Sequence, residues 1–250
     1  MLGTRGTAGP RDGSAEERAA CDRLAQLVLD EAWTLVDALR ARTGAAEWAV
    51  LAPLLVDVHE RRGRTLALLE HLVVAEVGAP GATAATLFRA NSLATRAMAH
   101  WARLADGAAY VRRVLGAVVA AVVSDRYGSL EIAGDAARAD EDVAANLAQL
   151  AALAQEALDA ICASVDECPL PLRMLCALLR AHCVARFPGS GTHAVGGFLV
   201  LRVLAPALVT PEAHGLAATA PSLDARRILV RVSKTIQHLA SGTWFRESAM

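Results

Sequence analysis

The sequence predicts an all-α fold, a single multi-helix domain, and three observations lead to that prediction. From Glu16 onward, apolar residues recur at the three-and-four spacing of an amphipathic helix. The chain breakers, 18 Gly and 9 Pro, fall mostly between those stretches. No segment alternates apolar and polar residues with the period of two that a half-buried strand requires. Hydrophobic residues make up 54% of the chain and charged residues 20%, enough to build a core and to exclude disorder over most of the length. Aromatic residues are only 4%, so Leu, Val and Ala must fill that core.

Taken in order, residues 1–14 are Gly-rich and are expected to form a disordered tail, leaving 15–250 as one domain. Leu24, Leu27, Val28, Ala32, Leu35 and Leu39 mark the first helical stretch. Ala45–Arg61 and Arg64–Val77 follow, and Gly78-Ala79-Pro80-Gly81 breaks the chain. The pattern then predicts a helix from about Thr86 to Ala105, ended near Asp106-Gly107, and another over Tyr110–Val123. Ser124–Ala139 reads as a loop. Glu141–Ser164 and Leu170–Arg186 are helical, the second stopped by Phe187-Pro188-Gly189. Thr192–Leu204 is apolar enough to be buried, Pro206–Pro211 bends the chain, and Leu223–Ser241 forms the last helix. That makes about ten helices with no internal boundary.

Composition narrows the function. The formal net charge is −1, so no global basic surface invites nucleic acid. Five cysteines, an odd count, without an apolar leader segment in residues 1–14 point to a reducing compartment. The longest apolar run, Val114–Val123, is shorter than the ~20 residues that span a bilayer. The expectation is a cytoplasmic protein with no integral membrane segment. Gly189-Ser190-Gly191-Thr192-His193-Ala194 fits a dinucleotide fingerprint, but a helix precedes it where a strand is needed. The chain has no phosphate-binding loop of the nucleotide hydrolases. Cys176 and Cys183 are too far apart for an ordinary zinc pair and read as core cysteines. No metal and no cofactor are expected.

Three segments carry more information. Thr86–Thr95 follows the Gly/Pro break, and a flexible loop entering a helix can present a long side chain outward. Arg89, Arg96 and Arg103 are spaced by seven, which on a continuous helix sets them on one face. Phe198–Ala207 sets a single arginine, Arg202, inside a strongly apolar helix. A buried guanidinium costs several kcal/mol unless paired, so Arg202 should have carbonyl or carboxylate partners. Arg227, Arg231 and Lys234 stand at i, i+4 and i+7 of the last helix, and Lys234 is the only lysine in the chain.

Together these segments resemble the catalytic domain of the Ras GTPase-activating proteins (RasGAPs), nearest in wording to neurofibromin. Thr86–Ala94 is similar to that family's finger segment. Leu201-Arg202 with Pro206-Ala207 resembles its Phe-Leu-Arg…Pro-Ala motif. Ser233-Lys234-Thr235-Ile236-Gln237 resembles its last conserved helix. The resemblance runs from about Trp48 to Met250 and departs from the family at Ala90, Val200, Ala205 and Ser241. It implies that Arg89 is the arginine finger and that Arg202 is the second arginine, which braces the finger loop. It implies that Asn91, Arg96, Arg227, Arg231, Lys234 and Gln237 face a Ras-like small GTPase in its GTP-bound state. The basic residues would form one local patch. The implied activity is acceleration of the partner's hydrolysis without an independent reaction, at the inner face of the plasma membrane when engaged. A non-catalytic helical scaffold that binds small GTPases is the alternative.

Overall fold

The computed structural model describes residues 14–124, 126–132 and 142–241. The expected tail falls outside these residues except for Ser14, and of the expected loop Asp125 and residues 133–139 lie outside them too. Among the described residues every regular element is a helix. We number them α1 (Ala15–Val28), α2 (Thr34–Arg42), α3 (Ala45–Glu60), α4 (Thr65–Val77), α5 (Leu93–Ala102), α6 (Ala108–Val123), α7 (Val143–Ala163), α8 (Leu170–Arg186), α9 (Gly191–Phe198), α10 (Ala205–Val209) and α11 (Leu223–Ser241).

Local chemistry fixes where these helices start. Ser14 caps α1 reciprocally with Glu17. Ser92 caps α5 by accepting from the Thr95 amide, and Asp142 caps α7 by accepting from Ala144 and Ala145. The core is one continuous cluster in which α3 packs on α5, α4 on α8, and α11 on α7, α9 and α10. The stripe on α11 is regular: Ala225, Ile228, Leu229, Val232 and Ile236 are all buried. Trp101 on α5 donates its indole N–H to Glu60 of α3 at 2.8 Å, tying the two helices at a polar point inside an apolar contact.

Two joints differ from the sequence reading. Arg103–Gly107 does not end a helix; it is a π-helical turn that carries α5 directly into α6. Within the expected bend Pro206–Pro211, the helix runs on to Val209 and the bend falls at Thr210. A second π turn, Leu199–Leu204, joins α9 to α10, with the Ala205 amide donating five residues back to the Val200 carbonyl. Pro206 follows directly on that π turn, at the start of α10. Gly191–Val209 is long and apolar enough, by length and composition, to cross a membrane. In the fold it packs on α8 and α11 and carries Arg202.

The glycine-rich stretch before α9 is a packing device. A Cβ on Gly191 would lie 2.8 Å from Val184 Cγ2 and 2.9 Å from Arg180 Cγ, so glycine lets α9 approach α8 closely. The core reading of the two cysteines agrees with their surroundings. Burial, with Cys168 nearby, pushes the Cys176 thiol up to about 12, and burial pushes that of Cys183 up to about 11. Both remain protonated at neutral pH and are poor metal ligands.

Candidate functional site

The expected helix over Thr86–Ala105 begins only at Leu93. Thr86–Asn91 is a loop. The apolar pair Leu87-Phe88 continues the helical pattern in the sequence, but Ser92 is a stronger signal and starts the helix after it. Phe88 adopts φ +55°, a left-handed conformation that a bulky residue takes only under constraint, at a cost of about 1–2 kcal/mol. The constraint is visible: its ring is fully buried in the core. The chain therefore turns on an apolar anchor, and the next residue, Arg89, is exposed. Arg89, Arg96 and Arg103 consequently lie on a loop, on α5 and in a π turn, not on one continuous helix face.

Arg202 reaches this loop from the π turn after α9. Its Nε lies 3.3 Å from the Phe88 carbonyl, and Nη2 lies 3.2, 2.5 and 2.7 Å from the carbonyls of Phe88, Arg89 and Ala90. Nη1 donates to Asn91 Oδ1 at 2.7 Å. The requirement that a half-buried guanidinium find carbonyl partners is thus met by the loop itself. Burial draws the Arg202 pKa down; Glu76 opposes this and Arg96 adds to the decrease.

Glu76 grips the same loop from the other side, and sequence reasoning missed it. Its Oε1 accepts from the Phe88 amide at 3.2 Å, and its Oε2 accepts from the Ser92 hydroxyl. Burial raises its pKa, while Ser92, Phe88 and the charge of Arg202 pull it back. One signal was available. An acidic side chain in the last turn of α4 opposes the helix dipole and calls for another reason to be there. Thr95 completes the clasp, its hydroxyl 2.9 Å from the Ala90 carbonyl.

The other candidates separate into two grooves. Asn91, Arg96 and Arg202 share a groove of about 280 Å3 with Arg103, His100 and His214. Arg227, Arg231 and Lys234 line a second, of about 450 Å3, between α7 and α11, floored by Leu147, Leu150 and Val230. The basic residues expected to form one patch thus line two grooves. Two of its members also hold a partner within the chain. Arg231 pairs with Glu131 and donates to the Leu130 carbonyl at 3.1 Å, and Arg227 lies 3.6 Å from the same carboxylate. Lys234 is exposed and makes no ion pair among the described residues. Gln237 donates to Ser233 Oγ at 3.0 Å, and that hydroxyl lies 3.4 Å from the Ala205 carbonyl, linking α11 to the segment that carries Arg202.

Residues 124–241 match the RasGAP family model, described as a GTPase-activator protein for Ras-like GTPase. The matched region includes Arg202, Arg227, Arg231, Lys234 and Gln237; Arg89 precedes it. The chain is 31% identical over 196 residues to the probable Ras GTPase-activating-like protein ngap of Dictyostelium discoideum, an alignment covering 77% of this chain and 22% of that protein. It is 32% identical over 200 residues to RAS protein activator like-3 of Homo sapiens, covering 79% and 19%. It is 31% identical over 212 residues to neurofibromin-A of Dictyostelium discoideum, covering 76% and 23%. The class defined by this all-helical fold and these matches is the helical GTPase-activator domain. Within that class the chain belongs to the RasGAP family. It spans about a fifth of the length of these relatives.

Proposed function

We propose that residues 15–250 act as a GTPase-activating domain for a Ras-like small GTPase in its GTP-bound state, with Arg89 entering the partner's nucleotide site in trans. The observation that carries this reading is the grip of Arg202 on the three successive carbonyls of Phe88, Arg89 and Ala90. The backbone around Arg89 is held while its side chain is exposed and makes no hydrogen bond or ion pair among the described residues. An arginine delivered this way pays little ordering entropy when it reaches its target.

The chemistry follows from the charge that develops in phosphoryl transfer. Negative charge grows on the γ-phosphate oxygens and the bridging oxygen, and a planar guanidinium stabilises it with two parallel donors. An in-trans arginine contributes ~10³–10⁵ in rate, about 4–7 kcal/mol. The partner supplies nucleotide, Mg²⁺ and attacking water, so this chain uses no cofactor and catalyses no reaction alone. Asn91 in the loop, Arg96 beside it, and Arg227, Arg231, Lys234 and Gln237 on α11 face the partner. Its acidic switch surface makes association salt-sensitive. The site of action is the cytoplasm, at the inner face of the plasma membrane when the partner is bound there.

The test is phosphate release from a panel of GTP-loaded Ras-like proteins with and without the chain. Acceleration of at least one member is the expected result. Neither acceleration nor GTP-dependent binding across the panel would sink the proposal; binding without acceleration would select the scaffold reading.

A further inference from the structure

The groove beside the finger loop holds a charge that the fold leaves without a partner. Arg96, on α5, makes no side-chain hydrogen bond or ion pair among the described residues, and its Nε is buried with no acceptor. A buried donor left unsatisfied is costly and needs an explanation. The surroundings deepen the imbalance. Arg202 and Arg103 line the same groove, with His100 and His214, and no carboxylate lines it. On α3, Asp57 lies 3.0 Å from His100 Nε2 and is used there. Arg202 has spent its donors on loop carbonyls and Asn91. The charge of Arg96 disfavours that of Arg202, and Glu76 opposes it from the far side of the loop.

We propose that this groove is a binding site for a small oxyanion, a phosphate or a carboxylate, held chiefly by the guanidinium of Arg96 with Arg103. A volume of about 280 Å3 accommodates such a group with water. The anion neutralises the cationic lining of the groove and screens Arg96 from Arg202. Two sources share this chemistry: free phosphate, and an acidic side chain of the bound GTPase. Only the second rests on the function proposed above.

The experiment is thermal unfolding of the chain during titration with inorganic phosphate at constant ionic strength, using wild type, Arg96→Gln and Arg89→Ala. A ligand of the native state raises Tm with increasing concentration by mass action. We expect a saturable rise in wild type and in Arg89→Ala, and none in Arg96→Gln. The starting Tm of Arg96→Gln should equal or exceed that of wild type, because the variant loses a like-charge neighbour. No rise in wild type, or an equal rise in Arg96→Gln, overturns the site. Where the rise is seen, GTPase association measured with and without phosphate assigns the source. Competition identifies the partner's carboxylate as the occupant, and indifference identifies a free anion. The Tm readout needs no GTPase, so it fails or succeeds independently of the activator reading.

Discussion

Replacing Arg202 with alanine removes the loop's grip while leaving Arg89 in place. The wild-type guanidinium contacts the carbonyls of residues 88, 89 and 90 and the Asn91 amide oxygen. Those contacts fix about three residues of backbone. At about 1–2 kcal/mol of conformational entropy per residue, releasing them adds roughly 3–6 kcal/mol to the cost of bringing the finger into position. Glu76 still holds the Phe88 amide and the Ser92 hydroxyl, so the lower end applies. At 1.36 kcal/mol per decade that is a loss of about 10²-fold in kcat/KM for accelerated hydrolysis. Arg202→Lys keeps the charge but not the fork, and should recover only part of the rate. Circular dichroism and Tm establish that each variant is folded, and single-turnover hydrolysis at varied chain concentration reads the rate. An Arg202→Ala variant that is folded and as fast as wild type refutes the brace.

Glu76→Gln retains one acceptor oxygen but loses the charge facing Arg202; we expect a five- to tenfold loss in kcat with KM little changed, from about 1–1.4 kcal/mol for one weakened charged hydrogen bond, and an unchanged kcat would count against Glu76 as a positioning residue. Glu131, 4% exposed, is the partner of both Arg227 and Arg231, so Glu131→Ala should lower stability by about 1–3 kcal/mol in urea titrations, and an unchanged midpoint contradicts that pairing. Burial holds the His59 imidazole below its ordinary 6.5, Arg64 adds to this and the Leu55 carbonyl opposes it. The unfolded chain therefore takes up the proton first, so this contribution to stability is complete above about pH 6.5 and declines as pH falls below it. A His59→Phe variant, which keeps a ring against Trp33, should show a shallower decline, and an identical slope removes His59 as its source.

Most helices could be read from apolar spacing and breakers, because each buries one stripe and ends where Gly, Pro or a cap residue stops it. Arg202 was legible for a different reason, since an arginine among Leu and Val must find acceptors wherever the chain folds. What stayed hidden depended on contacts between distant residues. Leu87 and Phe88 continue a helical pattern, and only the core pocket for the Phe88 ring and the Ser92 cap show that the chain turns there. The π turns leave no signal in periodicity, because one extra residue shifts the face without breaking the apolar run. Glu131 lay in the segment least patterned in the sequence, and its pairing with Arg231 spans 100 residues. That pairing is also why the arginines of α11 are less available than their spacing suggested.

Arg89, in the proposed mechanism, acts on the partner's reaction and not merely on binding. Single-turnover GTP hydrolysis by a responsive Ras-like protein, with wild type and Arg89→Ala, tests it directly. The variant is expected to lose most of the ~10³–10⁵ acceleration while GTP-dependent association stays within a few-fold of wild type. Full acceleration by Arg89→Ala, or a loss of rate matched by an equal loss of binding, would contradict it.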